Sequence, residues 1–271
     1  MSTLTKLIEK LTPAEQKSLE KSLTGTNRAV LTHDHSFSGR CVRFGYFSDS
    51  HIGNKVFNKA LWDKMVAYFK YQHIIHVYSP GDIVEGMSGR PGSIYELEAI
   101  GFRAQVNMAA TYISMLAPIN VHSILGNHDL FFKDKSGVDA SVGEALEKQC
   151  RNFHFLGDWE ADVVLGKGVT MKLFHANDGS AYATSYKLQK LIESLEGGKK
   201  PALILSGHYH KQLAMFCRNV HGFECGTLCG QTQWMRGKKI AAHQGFGIIE
   251  LWIAKEGGIE RLRHEFIPWY G

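Results

Sequence analysis

Five short strings in this chain carry side chains able to hold a metal ion: Asp49-Ser50-His51, Gly81-Asp82, Gly126-Asn127-His128-Asp129, His175 and Gly207-His208-Tyr209-His210. Carboxylate, imidazole and amide oxygen together suit hard and borderline cations such as Mn²⁺, Zn²⁺ or Fe²⁺. No cysteine stands in any string to argue for a soft, thiolate-rich site. Taken singly, each has an ordinary explanation. An isolated Asp-x-His is commonly a surface turn, and Asp after Gly is usual turn chemistry. A lone histidine at a strand end is more often structural. The set weighs more than its members because each string follows its own apolar run.

Those runs define the elements that must position the strings. Residues 41–48 (CVRFGYFS), 73–79 (HIIHVYS) and 120–126 (NVHSILG) read as strands. Residues 56–71 and 95–116 read as the helices between them. This alternation implies parallel strands with crossover helices. Residues 161–175 read as a hairpin turning at Gly166-Lys167-Gly168. Residues 185–195 read as a helix leading to the strand at 201–207, and residues 245–267 as a second hairpin turning at Gly257-Gly258. Ligands of open α/β sheets gather beyond the carboxyl ends of the strands. Five strand ends meeting there would bring the five strings together.

The ordered set resembles the calcineurin-like metallophosphoesterase superfamily, over residues 41–271. The resemblance implies an α/β fold, a four-layer sandwich of two mixed β-sheets flanked by helices. It implies that Asp49, His51, Asp82 and His210 hold one metal and that Asp82 bridges to a second, completed by Asn127, His175 and His208. It gives His128 the catalytic role of protonating the leaving oxygen, with Asp129 orienting its ring. The chemistry is independently reasonable. Two cations about 3.5–4 Å apart can share a hydroxide, bring its pKa toward neutrality and clamp the phosphoryl oxygens during in-line attack. Adjacent dications repel, so a bridging anion such as Asp82 is favoured. Mn²⁺ is the expected ion, with Zn²⁺, Fe²⁺ and Ni²⁺ as alternatives.

Protein phosphatases of this superfamily carry Gly-Asp-x-x-Asp-Arg-Gly and Gly-Asn-His-Glu. Here Gly81-Asp82-Ile83-Val84-Glu85-Gly86 lacks the arginine, and Asp129 ends the second motif. The first of these strings, continuing through Arg90-Pro91-Gly92, resembles the small exonuclease subunit of archaeal D-family DNA polymerases. Ser48-Asp49-Ser50-His51-Ile52-Gly53 resembles SbcD-type exonucleases. The implied activity is phosphodiester hydrolysis, with nucleic acid as partner and DNA nuclease as the leading form. The alternatives are a phosphomonoesterase, a cyclic-nucleotide phosphodiesterase, or a non-catalytic subunit on the same fold. Substrate-binding residues are not legible. Phe131, Phe132, Lys133 and Lys135, and the group Trp234, Arg236, Lys238 and Lys239, could stack bases and track phosphates. For any one of them, core packing of the aromatics or a solvated rim of lysines is the favoured explanation.

The remaining features bound the answer. With 271 residues, 44% hydrophobic and 21% charged, the chain is expected to be one domain, residues 41–271, preceded by a helical arm, residues 1–40. A net charge of +5 permits a polyanionic substrate without demonstrating one. No run approaches the roughly 20 apolar residues of a membrane span, and the first twenty residues lack an apolar leader. A cytoplasmic location is expected, with the five cysteines reduced. Cys217, His221, Cys225 and Cys229 fall at four-residue steps, but in a stretch that reads as a hairpin near His221-Gly222, so buried free thiols are expected there rather than a zinc knuckle.

Overall fold

The computed structural model describes residues 30–37, 39–136, 139–179, 181–198 and 200–271. The chain divides into two compact units, Met1–Leu31 and Thr32–Gly271. Most of the helical arm expected over residues 1–40 lies outside the described residues. Within the stretch expected to be a helical arm, the described part contains a short strand, β1 (Leu31–Asp34).

Two six-stranded mixed sheets make up the larger unit, and the expected fold class is observed. In one sheet β2 (Cys41–Tyr46), β3 (His76–Ser79), β4 (Asn120–Leu125) and β5 (Phe153–Asp158) run parallel. The antiparallel pair β11 (Gly245–Ile253) and β12 (Ile259–Pro268) extends that sheet beyond β2. The other sheet has the order β1, β6 (Glu160–Gly166), β7 (Val169–His175), β8 (Leu203–Gly207), β10 (Val220–Cys225), β9 (Gln212–Cys217). Within it β7, β8 and β10 are parallel.

Alternation along the strands builds the layers. In β3, Val77 packs toward helices α1 (Lys59–Tyr71), α2 (Phe102–Met115) and α4 (Val142–Gln149), while Tyr78 faces the opposite sheet. In β8, Leu203 and Leu205 face the core between the sheets, and Ile204 meets Leu188 and Ile192 of α5 (Tyr186–Ser194). The short α3 (Phe131–Asp134) lies between α2 and α4 in the chain. Helix α1 begins where Asn58 accepts the Leu61 N–H at 2.9 Å. It buries Leu61, Trp62, Met65, Val66 and Phe69 on one stripe. Among the described residues, no helix is long and apolar enough to cross a membrane.

Two local expectations are corrected. The single helix expected over residues 95–116 is broken: a 3₁₀ turn at Ser93–Glu96 precedes α2, and Gly101 between them has φ +86°. The intervening Glu98 and Ala99 N–H groups bond instead to the Gly53 carbonyl at 2.7 and 3.1 Å, so tertiary contacts overrode helical periodicity. The β9–β10 hairpin turns at Arg218-Asn219, both at positive φ, not at His221-Gly222. Two residues at positive φ suit the right-handed twist of a tight hairpin. All five cysteines are free.

Toward the amino ends of β3, β4 and β5, a second group of histidines fills one corner of the sandwich. His122 stacks between Tyr78 and His154, at ring distances of 5.0 and 4.8 Å, and its Nε2 lies 2.9 Å from His76 Nδ1. His35, just after β1, meets the Tyr78 hydroxyl at 2.9 Å.

Candidate metal centre

The five strings follow β2, β3, β4, β7 and β8, and the carboxyl ends of these strands, drawn from both sheets, converge. The chain turns sharply to do so. Asp49, His51, Asp82, His208 and His210 all sit at positive φ. That region costs a non-glycine residue on the order of 1 kcal/mol or more, and Asp and His tolerate it better than most. Strain of this kind concentrates at functional sites. Gly126 makes room: a Cβ there would collide with Asp82 Oδ1 and the His175 ring.

Two clusters of donors match the expected sites, Asp49 with His51 and His210, and Asp82 with His175 and His208; a third group with suitable spacing, His51 with Glu85 and His128, shares His51 with the first. In the first, His51 Nε2 lies 3.0 Å from His210 Nε2, and Asp49 Oδ1 is 3.4 Å from His210 Nε2. In the second, His175 Nε2 is 3.2 Å from Asp82 Oδ2 and 3.1 Å from Asn127 Oδ1, which is itself 2.9 Å from His208 Nδ1. The same Asp82 Oδ2 reaches within 3.8 Å of His51 Nε2, so it stands between the clusters.

Backbone carbonyls set the tautomers. His175 Nδ1 donates to the Pro80 carbonyl at 2.6 Å, and His208 Nε2 to the Asp178 carbonyl at 2.8 Å. His51 Nδ1 lies 2.9 Å from Glu85 Oε2. Each ring therefore turns its remaining nitrogen lone pair toward Asp82 and its neighbours. Lone pairs of two imidazoles, an amide oxygen and a carboxylate facing one another at about 3 Å repel unless a positive charge lies among them. The donor set therefore fits a divalent cation in each cluster.

Electrostatics carry the same message. Burial opposes ionisation of Asp82, but the facing His175 and His128 rings outweigh it and hold its carboxyl well below the usual range. Burial would discharge His175, yet Asp82 and Asp49 push it up to about 9. A proton on His175 supplies positive charge where a cation would otherwise do so. Burial and the nearby His175 lower His208.

His128 borders the clusters. Its backbone N–H donates to Asp82 Oδ1 at 2.9 Å, and its Nδ1 donates to the Glu85 carbonyl at 2.6 Å, leaving Nε2 as the nitrogen available for substrate. Burial lowers its proton affinity, but Asp82 and Glu85 raise it further, and the balance is upward.

Asp129 does not orient that ring. Its carboxylate accepts the backbone N–H groups of Val84, Gly126 and Ile83 at 2.8, 3.0 and 3.2 Å. It ties the loop after β3 to the loop after β4. Burial and the nearby Asp82 raise it to about 7. The group touching both His51 and His128 is Glu85, whose Oε2 is 3.8 Å from His128 Nδ1. In the sequence it stands out only as a glutamate where phosphatases carry aspartate. The Pro80 and Asp178 carbonyls left no sequence signal, because any residue has a carbonyl.

The clusters open into a cavity of about 380 Å³, floored by residues including Asp82, Asn127 and His208 and walled by Trp234, Met235 and Ile240. Phe132 is buried in the helix-side core, and Lys133 pairs with Asp158 at 2.8 Å. Trp234, in the short helix α6 (Gln233–Gly237), does border the cavity.

No family model and no curated protein matches this chain. Solved structures do. An archaeal phosphodiesterase aligns with 83% of this chain and 100% of its own at 15% identity and a TM-score of 0.49. The phosphoesterase YfcE from E. coli aligns with 82% of this chain and 98% of its own, at 15% identity and TM-score 0.47. A 5′-nucleotidase precursor from Thermus thermophilus aligns with 84% of this chain and 54% of its own, at 12% identity and TM-score 0.46. Likenesses this distant do not identify an activity.

Proposed function

We propose that this protein is a metal-dependent phosphoesterase of the calcineurin-like type, cleaving phosphodiester bonds with two divalent cations. One observation carries the reading: the lone pairs of Asp49, His51 and His210 and of Asn127, His175 and His208 converge on either side of a shared Asp82, at the floor of a substrate-sized cavity. Cations bound there would supply Lewis acidity and neutralise the phosphoryl charge. The chain's own residues do the rest. The Pro80 and Asp178 carbonyls hold His175 and His208 in their ligand tautomers, and Glu85 places its negative charge 2.9 Å from His51 Nδ1. His128, at the cavity edge with Nδ1 committed to Glu85, presents Nε2 to the leaving oxygen as a proton donor.

Mn²⁺ is the ion we assign, because the ligands are oxygen and imidazole without thiolate. Nucleic acid, with DNA as first choice, is the substrate class we assign. The Gly-Asp and Gly-Asn-His-Asp strings support it, as they carry no phosphatase arginine. A cytoplasmic location belongs to the same reading, with all five thiols free.

The test is hydrolysis of single-stranded DNA, a cyclic nucleotide, a phosphomonoester and a chromogenic diester, after chelation and then with added Mn²⁺. Diester cleavage should vanish with chelation and return with Mn²⁺. Asp82→Asn should lose both bound metals by elemental analysis and fall to the chelated background. Full turnover in excess chelator, or two retained metals and normal turnover in Asp82→Asn, would overturn the proposal.

A further inference from the structure

One wall of the cavity has no role in the chemistry assigned so far. Trp234 stands at the rim with 43% of its surface exposed, although large aromatics are usually well covered. Its helix is pinned by Thr232, whose hydroxyl accepts the Met235 N–H at 3.1 Å. From a separate loop Arg90 places its guanidinium 5.2 Å from the indole centroid, and an ion pair with Glu96 at 2.5 Å holds Arg90 in place. Arg90 borders the same cavity. Two distant segments thus meet at the same cavity, an exposed indole beside a guanidinium paired with Glu96, with Met235 and Ile240 also lining it. A simple alkyl ester would have no use for such a surface. A heterocyclic base would stack on it, and the adjacent cation would add to the attraction of an electron-rich face.

We propose that Trp234, together with the adjacent Arg90, is the platform on which the base of a nucleoside phosphoester stacks while its phosphate occupies the floor at Asp82, Asn127 and His208. This rests on the phosphoesterase reading and adds a base-binding subsite to it.

Titration calorimetry of the Mn²⁺-loaded protein tests it with thymidine 5′-monophosphate and deoxyribose 5-phosphate, which differ only in the base. The wild type should prefer the nucleotide. Trp234→Ala should weaken nucleotide binding by about 5- to 150-fold and leave the sugar phosphate unchanged. Trp234→Phe should keep most of the preference, and Arg90→Gln should reduce it in part. Short oligothymidylate serves as a further arm. Trp234-dependent binding tighter than that of the mononucleotide marks a strand as the source of the base, and equal binding marks a single nucleotide. Both support the platform. Equal affinity of the wild type for nucleotide and sugar phosphate, or equal losses for both in Trp234→Ala, overturns it. If diesters are cleaved and only the base preference is missing, the subsite alone fails. If neither phosphate binds and no ester is cleaved, the phosphoesterase reading fails first.

Discussion

Two groups of histidines, one at the carboxyl ends of β2, β7 and β8 and the other around the amino ends of β3, β4 and β5, are held in opposite ways. At the carboxyl ends, His51, His175, His208 and His210 face Asp49 and Asp82, and His51 also faces Glu85. At the amino ends, the rings of His33, His35, His76, His122 and His154 bond to the Leu156 carbonyl, the Tyr78 hydroxyl, the Asn120 side chain and one another. No carboxylate hydrogen-bonds to those rings among the described residues. The consequence is charge. Asp82 holds His175 up at about 9, whereas burial and neighbouring imidazoles push His35 down to about 4 and His122 to about 2. Imidazoles packed without acids stay neutral and act as flat polar packing. Imidazoles packed with acids gather positive charge, whether a proton or a metal. Among the described residues, every group with spacing fit to hold a metal lies at the carboxyl end.

The most severe way to break the contrast is through His128, which sits with the acids yet is assigned a proton rather than a metal. His128→Ala should keep both metals and lower turnover on DNA or an alkyl diester by about 10²–10⁴-fold. The loss should shrink on a nitrophenyl diester, whose leaving group departs without a proton. Equal small losses on both substrates would reduce His128 to packing, and metal loss would make it a ligand. Asp129→Asn should lower thermal stability with no such substrate dependence, because its three bonds go to backbone N–H groups.

A smaller effect is expected at Glu85, the acid that touches two histidines without bridging the clusters. Glu85→Gln keeps the size and loses the charge facing His51 Nδ1 at 2.9 Å. Apparent Mn²⁺ affinity should fall by about 10- to 100-fold, in line with other partners that orient metal-bound histidines. Unchanged affinity and turnover would show that the ring is oriented by packing alone.

The smallest effect belongs to the acid-free group and reads as stability, not catalysis. His35, His76 and His122 are all shifted downward in the fold, mainly by burial. Below pH 6.5 the unfolded chain therefore binds protons that the folded chain refuses. Stability from these groups is level above that pH and declines as pH falls, until about 4 for His35 and about 2 for His122. Urea unfolding between pH 7 and 5 should show the decline. His122→Phe should make it shallower by up to about 1.4 kcal/mol per pH unit. Identical slopes would mean that His122 titrates alike in both states.

Much of the fold was legible because it follows from local pattern. The runs at 41–48 and 120–126 carry apolar side chains to both faces, Phe47, Val121 and Leu125 toward the helices and Val42, Phe44 and Ile124 toward the opposite sheet, and the stripe Leu61, Met65, Phe69 obliges residues 59–71 to pack as a helix on one side. Where the pattern misled, a distant group had intervened. Residues 95–116 have helical periodicity, but the Gly53 carbonyl drew the N–H groups of Glu98 and Ala99 away from it.

The sequence alone determined which donors the chain possesses and that each follows a strand, since residue type and apolar periodicity are properties of a few neighbouring residues. Only the tertiary structure decided what those donors face. The 3.0 Å approach of His51 to His210, the handover of His128 from Asp129 to Glu85, and the meeting of Arg90 with Trp234 join residues 43 to 159 positions apart. Such pairings depend on how two sheets stack and where five loops turn back. A linear pattern of side chains carries that information only through the fold it forms.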